Sequence, residues 1–397
     1  MTTASPHTGA LPAPPSSPAV KISQNKQTAP AAAHLVLLGT LTSLLGISWD
    51  IQWHVDVGPD TFFTLSHLML YSGSAIAGLT SLAMVLVSTA AQRAGRPVDH
   101  HSGGTLVRVF GGVFRAPLGY LIAGTGAALF LLFGLLDLWW HSLYGFDAVL
   151  DSPPHIGLFV SISITMVGSL IVYAAAREAG WGRAGLTLSI PVLVTFSPIT
   201  AKAFDALPLP VEPDTVGTVF FATLLLITGT LTLGRPGTAL AIAAALAGMQ
   251  AFLWWFSPWA ARVYADSVGL PLRDNLGDEP PNLPAEIPLF AVLGAGAISA
   301  LLWLGRRRGW SGRLLPQVIG AVGGLLIALS MPVQEALLGG SRSVSADLLP
   351  MAVVGVLAGA LAGYLAARFA VLLRERPSPG RPAGPAEHAA PAATKDR

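Results

Sequence analysis

The chain has no cysteine in 397 residues. This excludes a disulfide framework, a thiolate zinc site, an iron–sulfur cluster and a cysteine nucleophile. Any metal must be held by imidazole, carboxylate or amide groups. Charge is scarce as well, with 11% of residues Asp, Glu, Lys or Arg against about 25% in soluble domains. With 52% hydrophobic residues and a mean hydropathy of +0.61, the composition excludes an ordinary soluble enzyme. The formal charge of +2 conceals 23 basic and 21 acidic residues, so their placement matters more than their sum. No nucleic-acid partner is expected.

The chain is built instead from apolar runs of roughly 20 residues or more, each long enough to cross a hydrocarbon core of about 30 Å as a helix. Ten are expected, at 32–56, 62–92, 115–144, 154–177, 184–206, 214–234, 237–264, 285–305, 313–338 and 346–373. The fifth carries Pro191 and Pro198 and is the least regular. The expected fold is all-α: a polytopic integral membrane helical bundle of about ten transmembrane helices built from consecutive hairpins. Residues 1–31 and 375–397, rich in Pro, Ala, Ser and Thr without periodicity, read as disordered tails. Between them, 32–180 form hairpins one and two, and 181–374 the further helices. The first run follows Lys21 and Lys26 and lacks a small-residue cleavage site, which reads as a retained span.

Charge bias then orients the bundle. With the N-terminus inside, Lys21, Lys26, Arg93, Arg96, Arg108, Arg115, Arg177, Arg183, Arg235, Arg306, Arg307, Arg308, Arg313 and six residues from Arg368 onward fall on the inner side. Only Lys202, Arg262, Arg273 and Arg342 remain outside, among most of the carboxylates. The expectation is a multi-pass protein of the cell membrane, in contact with the lipid bilayer, with both termini cytoplasmic.

A repeated pattern of polar residues interrupts the first two hairpins. The first reads Asp50-Ile51-Gln52-Trp53-His54, a loop through Gly58-Pro59, then Ser66-His67. The second reads Asp137-Leu138-Trp139-Trp140-His141, a loop through Gly145, then Pro153-Pro154-His155. Each is Asp-x-x-Trp-His with a second His beyond the loop, and the interval from His54 to His67 is one position shorter than that from His141 to His155. Residues i and i+4 share a helix face with Cβ atoms about 6 Å apart, and the loop returns the second His at the start of the next helix. Asp50, His54 and His67, and likewise Asp137, His141 and His155, are therefore the expected metal ligands. Two imidazoles and a carboxylate suit redox-active copper or iron, with zinc also compatible. Carboxylates inside a membrane cost about 3 kcal/mol each at helix centres and mark functional positions.

Bland readings exist for the parts. A single His at a helix end is ordinarily interfacial, and Trp49, Trp53, Trp139 and Trp140 resemble an aromatic belt. Neither explains why Asp recurs four positions before His. Haem ligation by paired His is disfavoured, because Pro59 and Pro153-Pro154 interrupt each interval and it leaves both Asp unexplained. His34, His100, His101, His7 and His388 read as solvated or interfacial. Later segments echo the pattern without His, at Gln250-Ala251-Phe252-Leu253-Trp254-Trp255 and Pro332-Val333-Gln334-Glu335. Lys202 and Asp205 read as members of outer-rim ion pairs, or with those segments as a polar wall around a substrate path, and Asp266 to Pro284 as a long acidic loop that caps the site or docks a partner.

The two triads resemble those of the membrane-embedded C subunit of the copper membrane monooxygenases, the particulate methane and ammonia monooxygenases. That subunit carries Asp-x-x-x-His with a further His at the interval that separates His54 from His67. It then carries Asn-x-x-x-His with a further His at the interval that separates His141 from His155. The resemblance covers roughly residues 45–170, and Asp137 stands where the family has Asn. It implies copper at both triads, partner membrane subunits, and oxygen chemistry on a small apolar substrate supplied by an electron donor. The alternative, from internal repeats and intramembrane carboxylates, is a metal- or proton-coupled transporter or a copper-handling membrane protein without catalysis. A third reading is a structural subunit that retains an ancestral pattern.

Overall fold

The computed structural model describes residues 28–145, 152–235, 237–273, 289–310, 314–337 and 348–375. Ten helices occur among them: α1 (Thr28–Asp56), α2 (Leu65–Arg93), α3 (Leu118–Tyr144), α4 (Pro153–Ala175), α5 (Gly180–Ile199), α6 (Pro213–Leu233), α7 (Thr238–Val268), α8 (Ala291–Arg307), α9 (Leu315–Leu337) and α10 (Leu348–Arg374). Nine are long and apolar enough to cross a membrane, and α8, with 17 described residues, is the shorter one. The chain is an all-α polytopic helical bundle.

Several boundaries differ from expectation, each for a local reason. The third span starts at Leu118 rather than 115, because residues before it form a small antiparallel hairpin of β1 (Leu106–Val109) and β2 (Phe114–Pro117). Pro117 ends that strand and serves as the N-cap of α3, where its fixed φ and missing N–H cost little. The fifth span begins earlier, at Gly180, and finishes in a 3₁₀ turn, Thr200–Phe204. Pro191 and Pro198 are both buried inside α5, where packed neighbours compensate the freed backbone groups. Helix α7 runs on to Val268, so Asp266 is helical and does not open a loop. Residues 274–284 of the expected acidic loop, and most of both tails, lie outside the described residues, as do Asp147, Asp151, Arg342 and the side chain of Glu335.

Close backbone approach holds the hairpins together. Between α1 and α2, a Cβ at Gly39 would lie 2.5 Å from the Gly73 carbonyl oxygen, and one at Gly46 would lie 2.5 Å from the Leu70 nitrogen. Ser43 Oγ donates to the Leu70 carbonyl across the same seam at 3.0 Å. Hairpin two repeats the device, with Gly126 against the backbone of Thr165 and Gly168 against Ala123. Helices α9 and α10 approach through Gly320, Gly324 and Gly359. Apolar side chains gain nothing by leaving lipid for one another, so association rests on small residues that permit tight van der Waals contact.

The middle of the bundle is formed by α4, α5 and α6, with Phe196, Ile190, Met166 and Leu226 fully enclosed. By contrast α2 and α3 are peripheral: 28% and 22% of their most apolar windows are buried, against 72% in α5 and α6. These two therefore face lipid. Helix α7 leans on α1, where Ser48 Oγ and Ser257 Oγ hydrogen-bond at 2.7 Å.

Gly73→Leu should force α1 and α2 apart and cost about 1–3 kcal/mol, as overpacking does. Thermal unfolding in detergent measures it, and an unchanged midpoint would show that the seam does not hold the hairpin.

Candidate metal centre

Each hairpin brings its ligands to the end of the bundle opposite the start of α1, one His from the last turn of a helix and one from the first turn of the next. His54 closes α1 and His141 closes α3. His67 opens α2, and His155 follows Pro153 and Pro154 in the first turn of α4, positions where Pro suits a helix start.

The three side chains expected of each triad do converge. In the first cluster His67 Nε2 lies 3.1 Å from Asp50 Oδ1, and His54 Nε2 lies 3.8 Å from Asp50 Oδ2. In the second, His141 Nε2 and His155 Nε2 are 3.5 and 3.3 Å from Asp137 Oδ1. One ligand atom from each member of a cluster lies within 4.8 Å of every other. Asp50 and Asp137 are buried, while the imidazoles keep partial access from outside.

A fourth ligand group in the first cluster escaped the pattern. Asp60, from the loop, places Oδ2 3.1 Å from His54 Nε2 and 3.4 Å from His67 Nε2, with its side chain fully closed to solvent. In the sequence it reads only as one of the outer carboxylates. Its signal is faint: a third acidic residue in the same hairpin, six positions after His54, where no helical spacing applies. The loop is folded to place it. Trp53 Nε1 donates to the Pro59 carbonyl at 2.9 Å, the Thr61 amide donates to Thr64 Oγ1 at 2.8 Å, and the Thr64 amide returns to the Thr61 carbonyl.

The orientation of the imidazoles bears on what the clusters can hold. His67 Nδ1 lies 2.9 Å from the Thr61 carbonyl oxygen. A carbonyl only accepts, so Nδ1 carries a proton and Nε2 is the nitrogen turned toward Asp50 and Asp60. His141 Nδ1 similarly faces the Gly145 carbonyl at 3.3 Å, leaving Nε2 toward Asp137. Lone pairs and carboxylates directed at one point repel unless a cation lies among them. That cation is a metal ion or the protons of imidazolium groups, and the outward carbonyl partners are the supports that metal-bound imidazoles ordinarily have. Ser66 Oγ donates to Asp50 Oδ1 at 2.7 Å and steadies that carboxylate. The residues present therefore fit a metal ion at both places.

The surroundings differ between the two clusters. Around the first, Trp49, Trp53, Val57 and Ala261 form an apolar wall with Tyr264 from α7, whose ring lies 4.9 Å from that of Trp53. Arg273, beyond α7, donates its amide to the Asp56 carbonyl at 2.8 Å and Nε to the Val57 carbonyl at 3.2 Å, satisfying the open end of α1. Gly58 makes room for it: its φ of 105° suits glycine, and a Cβ there would collide with the guanidinium. Around the second, Trp140 packs on Tyr144 with centroids 4.5 Å apart, while Trp139 is more than half exposed toward lipid.

Tyr71 links the two. It stacks on His67 at 6.0 Å and meets Phe130 of α3 at 6.2 Å, and its hydroxyl lies within electrostatic range of Asp50, Asp60 and Asp137. Elsewhere, Lys202 pairs with Asp214 at 3.4 Å, a rim ion pair, and Gln250 is buried without any cluster of ligands around it among the described residues. Comparison with family models, with curated proteins and with solved structures finds no match.

Asp60→Asn should weaken divalent metal binding at the first cluster by about 10–100-fold, the range seen when a group supporting or completing such a site is lost. The second cluster should be unaffected. Isothermal titration of metal-stripped protein tests this, and two sites weakened equally would refute separate clusters.

Proposed function

We propose that the chain is an integral-membrane metalloprotein that binds copper at both clusters and acts as an oxidoreductase of monooxygenase type on an apolar substrate with oxygen. The observation that carries this reading is the convergence, twice in one chain, of Asp, His and His from the same hairpin plan. The resemblance of that plan to the C subunit of the copper membrane monooxygenases supplies the choice of metal and reaction. Copper held there would supply oxygen activation, drawing electrons from an external donor.

The chain's own residues have distinct tasks in this scheme. Asp50, Asp60, His54 and His67 would hold one ion, and two carboxylates offset the charge of a divalent cation. Asp137, His141 and His155 would hold the other, with Asp137 its one carboxylate among the described residues. Trp53, Trp49 and Tyr264 keep water from one side of the first cluster, which strengthens every electrostatic contact inside it. Apolar substrates concentrate in the bilayer, beside which both clusters lie. The tails would face the cytoplasm, following the distribution of Lys and Arg, and an electron donor and further membrane subunits would complete the assembly.

Metal analysis of the detergent-solubilised protein, with His54→Ala and His141→Ala beside it, tests the proposal. About two copper ions per chain are expected, falling to one in each variant, with oxygen consumption that requires added reductant. Protein without metal, or with metal unchanged in both variants, would defeat it. Ion flux in proteoliposomes without oxygen uptake would favour transport instead.

A further inference from the structure

On the side of the bundle opposite the ligand clusters, the C-terminal ends of α4, α6, α8 and α10 are tied to one another by arginine. Arg306, in the last turn of α8, donates Nη1 to the Gly234 carbonyl at 3.0 Å. Arg374, the last residue of α10, donates Nε to the Thr232 carbonyl at 3.3 Å. Arg177, just beyond α4, donates Nη2 to the Arg374 carbonyl at 3.0 Å and Nη1 to the Ala174 carbonyl at 3.2 Å. Gly234 caps α6 in the left-handed conformation, and a Cβ there would lie 3.2 Å from Arg374 Nη2. Three guanidiniums from distant parts of the chain are thereby gathered around one helix end, with Arg374 in electrostatic range of both others.

The carbonyls they meet do not balance them. A helix C-terminus carries about half a negative charge, so four such ends supply about two units at most. Against these stand four arginines once Arg235, next to Gly234, is included. Among the described residues, none of Arg177, Arg306 and Arg374 forms an ion pair with a carboxylate. Glu375, the acid next to Arg374, lines a groove with Phe369 and Leu372 that none of the three arginines lines. Each guanidinium has five N–H donors, and the three together spend four of theirs on carbonyls. Arg306 and Arg374 are exposed, so an outside partner can reach the remainder. Trp303 and Trp310 flank Arg306 and are exposed as well, with the Arg307 guanidinium 4.1 Å from the centre of the Trp303 ring. Tryptophan so placed marks the depth of the lipid headgroups.

We infer that this cluster binds a phosphate group, held by Arg177, Arg306 and Arg374. Planar guanidinium forks engage phosphate oxygens in pairs. A tetrahedral group offers oxygens to three forks arriving from different directions, whereas the two oxygens of a carboxylate lie in one plane. The depth makes an anionic phospholipid headgroup the source, and basic pockets between helix ends are where such headgroups bind. A phosphate held there joins the ends of α4, α6, α8 and α10 by charge as well as by hydrogen bonds. The inference does not rest on the metal reading.

The test uses the full-length protein in phosphatidylcholine nanodiscs with and without added phosphatidylglycerol, with native mass spectrometry counting the lipids retained on release. Phosphatidylglycerol should be retained about tenfold more strongly, because the choline cation is repelled and charged hydrogen bonds are lost with it. Arg306→Gln/Arg374→Gln should abolish that preference. Arg307→Gln/Arg368→Gln removes the same charge from arginines that lie over Trp303 and Tyr364, and should keep it. Inorganic phosphate at constant ionic strength distinguishes the source. If it raises the melting midpoint in phosphatidylcholine discs without any lipid preference, and does so only when Arg306 and Arg374 are present, the site stands and serves soluble phosphate. Equal retention of both lipids with no response to phosphate would overturn the inference, as would an equal loss in the two double variants, which would reduce the effect to diffuse charge. Should the first variant not fold, hydrogen exchange of the unaltered protein decides: phosphatidylglycerol should slow it at residues 231–235 and 371–375, and unchanged exchange there would defeat the site.

Discussion

Placing a carboxylate at the edge of a hydrocarbon layer is the constraint around which the first half of this molecule is arranged. Asp50 and Asp137 are buried, and an unmatched acid there would be expelled from the helix or neutralised. Each is matched by two imidazoles that reach it from the two helices of one hairpin. That match requires those helices to lie in a fixed register. The register in turn depends on the glycine seams, where Gly39, Gly46 and Gly73 in one hairpin, and Gly126 and Gly168 in the other, let backbones touch. Packing further along each helix thus determines whether the ligands meet.

Much of this was legible in the residues alone. Helix positions follow from apolar runs of about 20 residues or more, because a bilayer leaves few alternatives to a helix for the backbone. The triads follow from i,i+4 spacing and from Pro or Gly at the reversals. What escaped notice has a common cause. Asp60 is placed by the Trp53 indole on the Pro59 carbonyl and by paired threonines, a local loop design with no period. The β-hairpin at Leu106–Pro117 hides in a segment too short and too mixed for either pattern, and its role depends on which helices it abuts. The partner of Lys202 is Asp214 across a turn, a pairing that only the fold settles.

The two clusters are alike in plan and unlike in setting. Among the described residues the first has four ligand groups, an aromatic wall from α7 and a sealed loop; the second has three and lies beside the exposed Trp139. Two hairpins carry one plan, and α7, later in the chain, packs against the wall of the first. Tyr71 lies between the two clusters, stacked on His67 and edge-on to Phe130 of α3.

Arg273 gives that asymmetry an order in time. It closes the end of α1 from 216 residues further along the chain, and chains are made from the N-terminus at about 5–20 residues per second. All four side chains of the first cluster exist once His67 has been made, but the arginine that covers its loop arrives only after seven helices have been synthesised. Until it does, the end of α1 and the loop after it lack the contact that closes them in the finished fold.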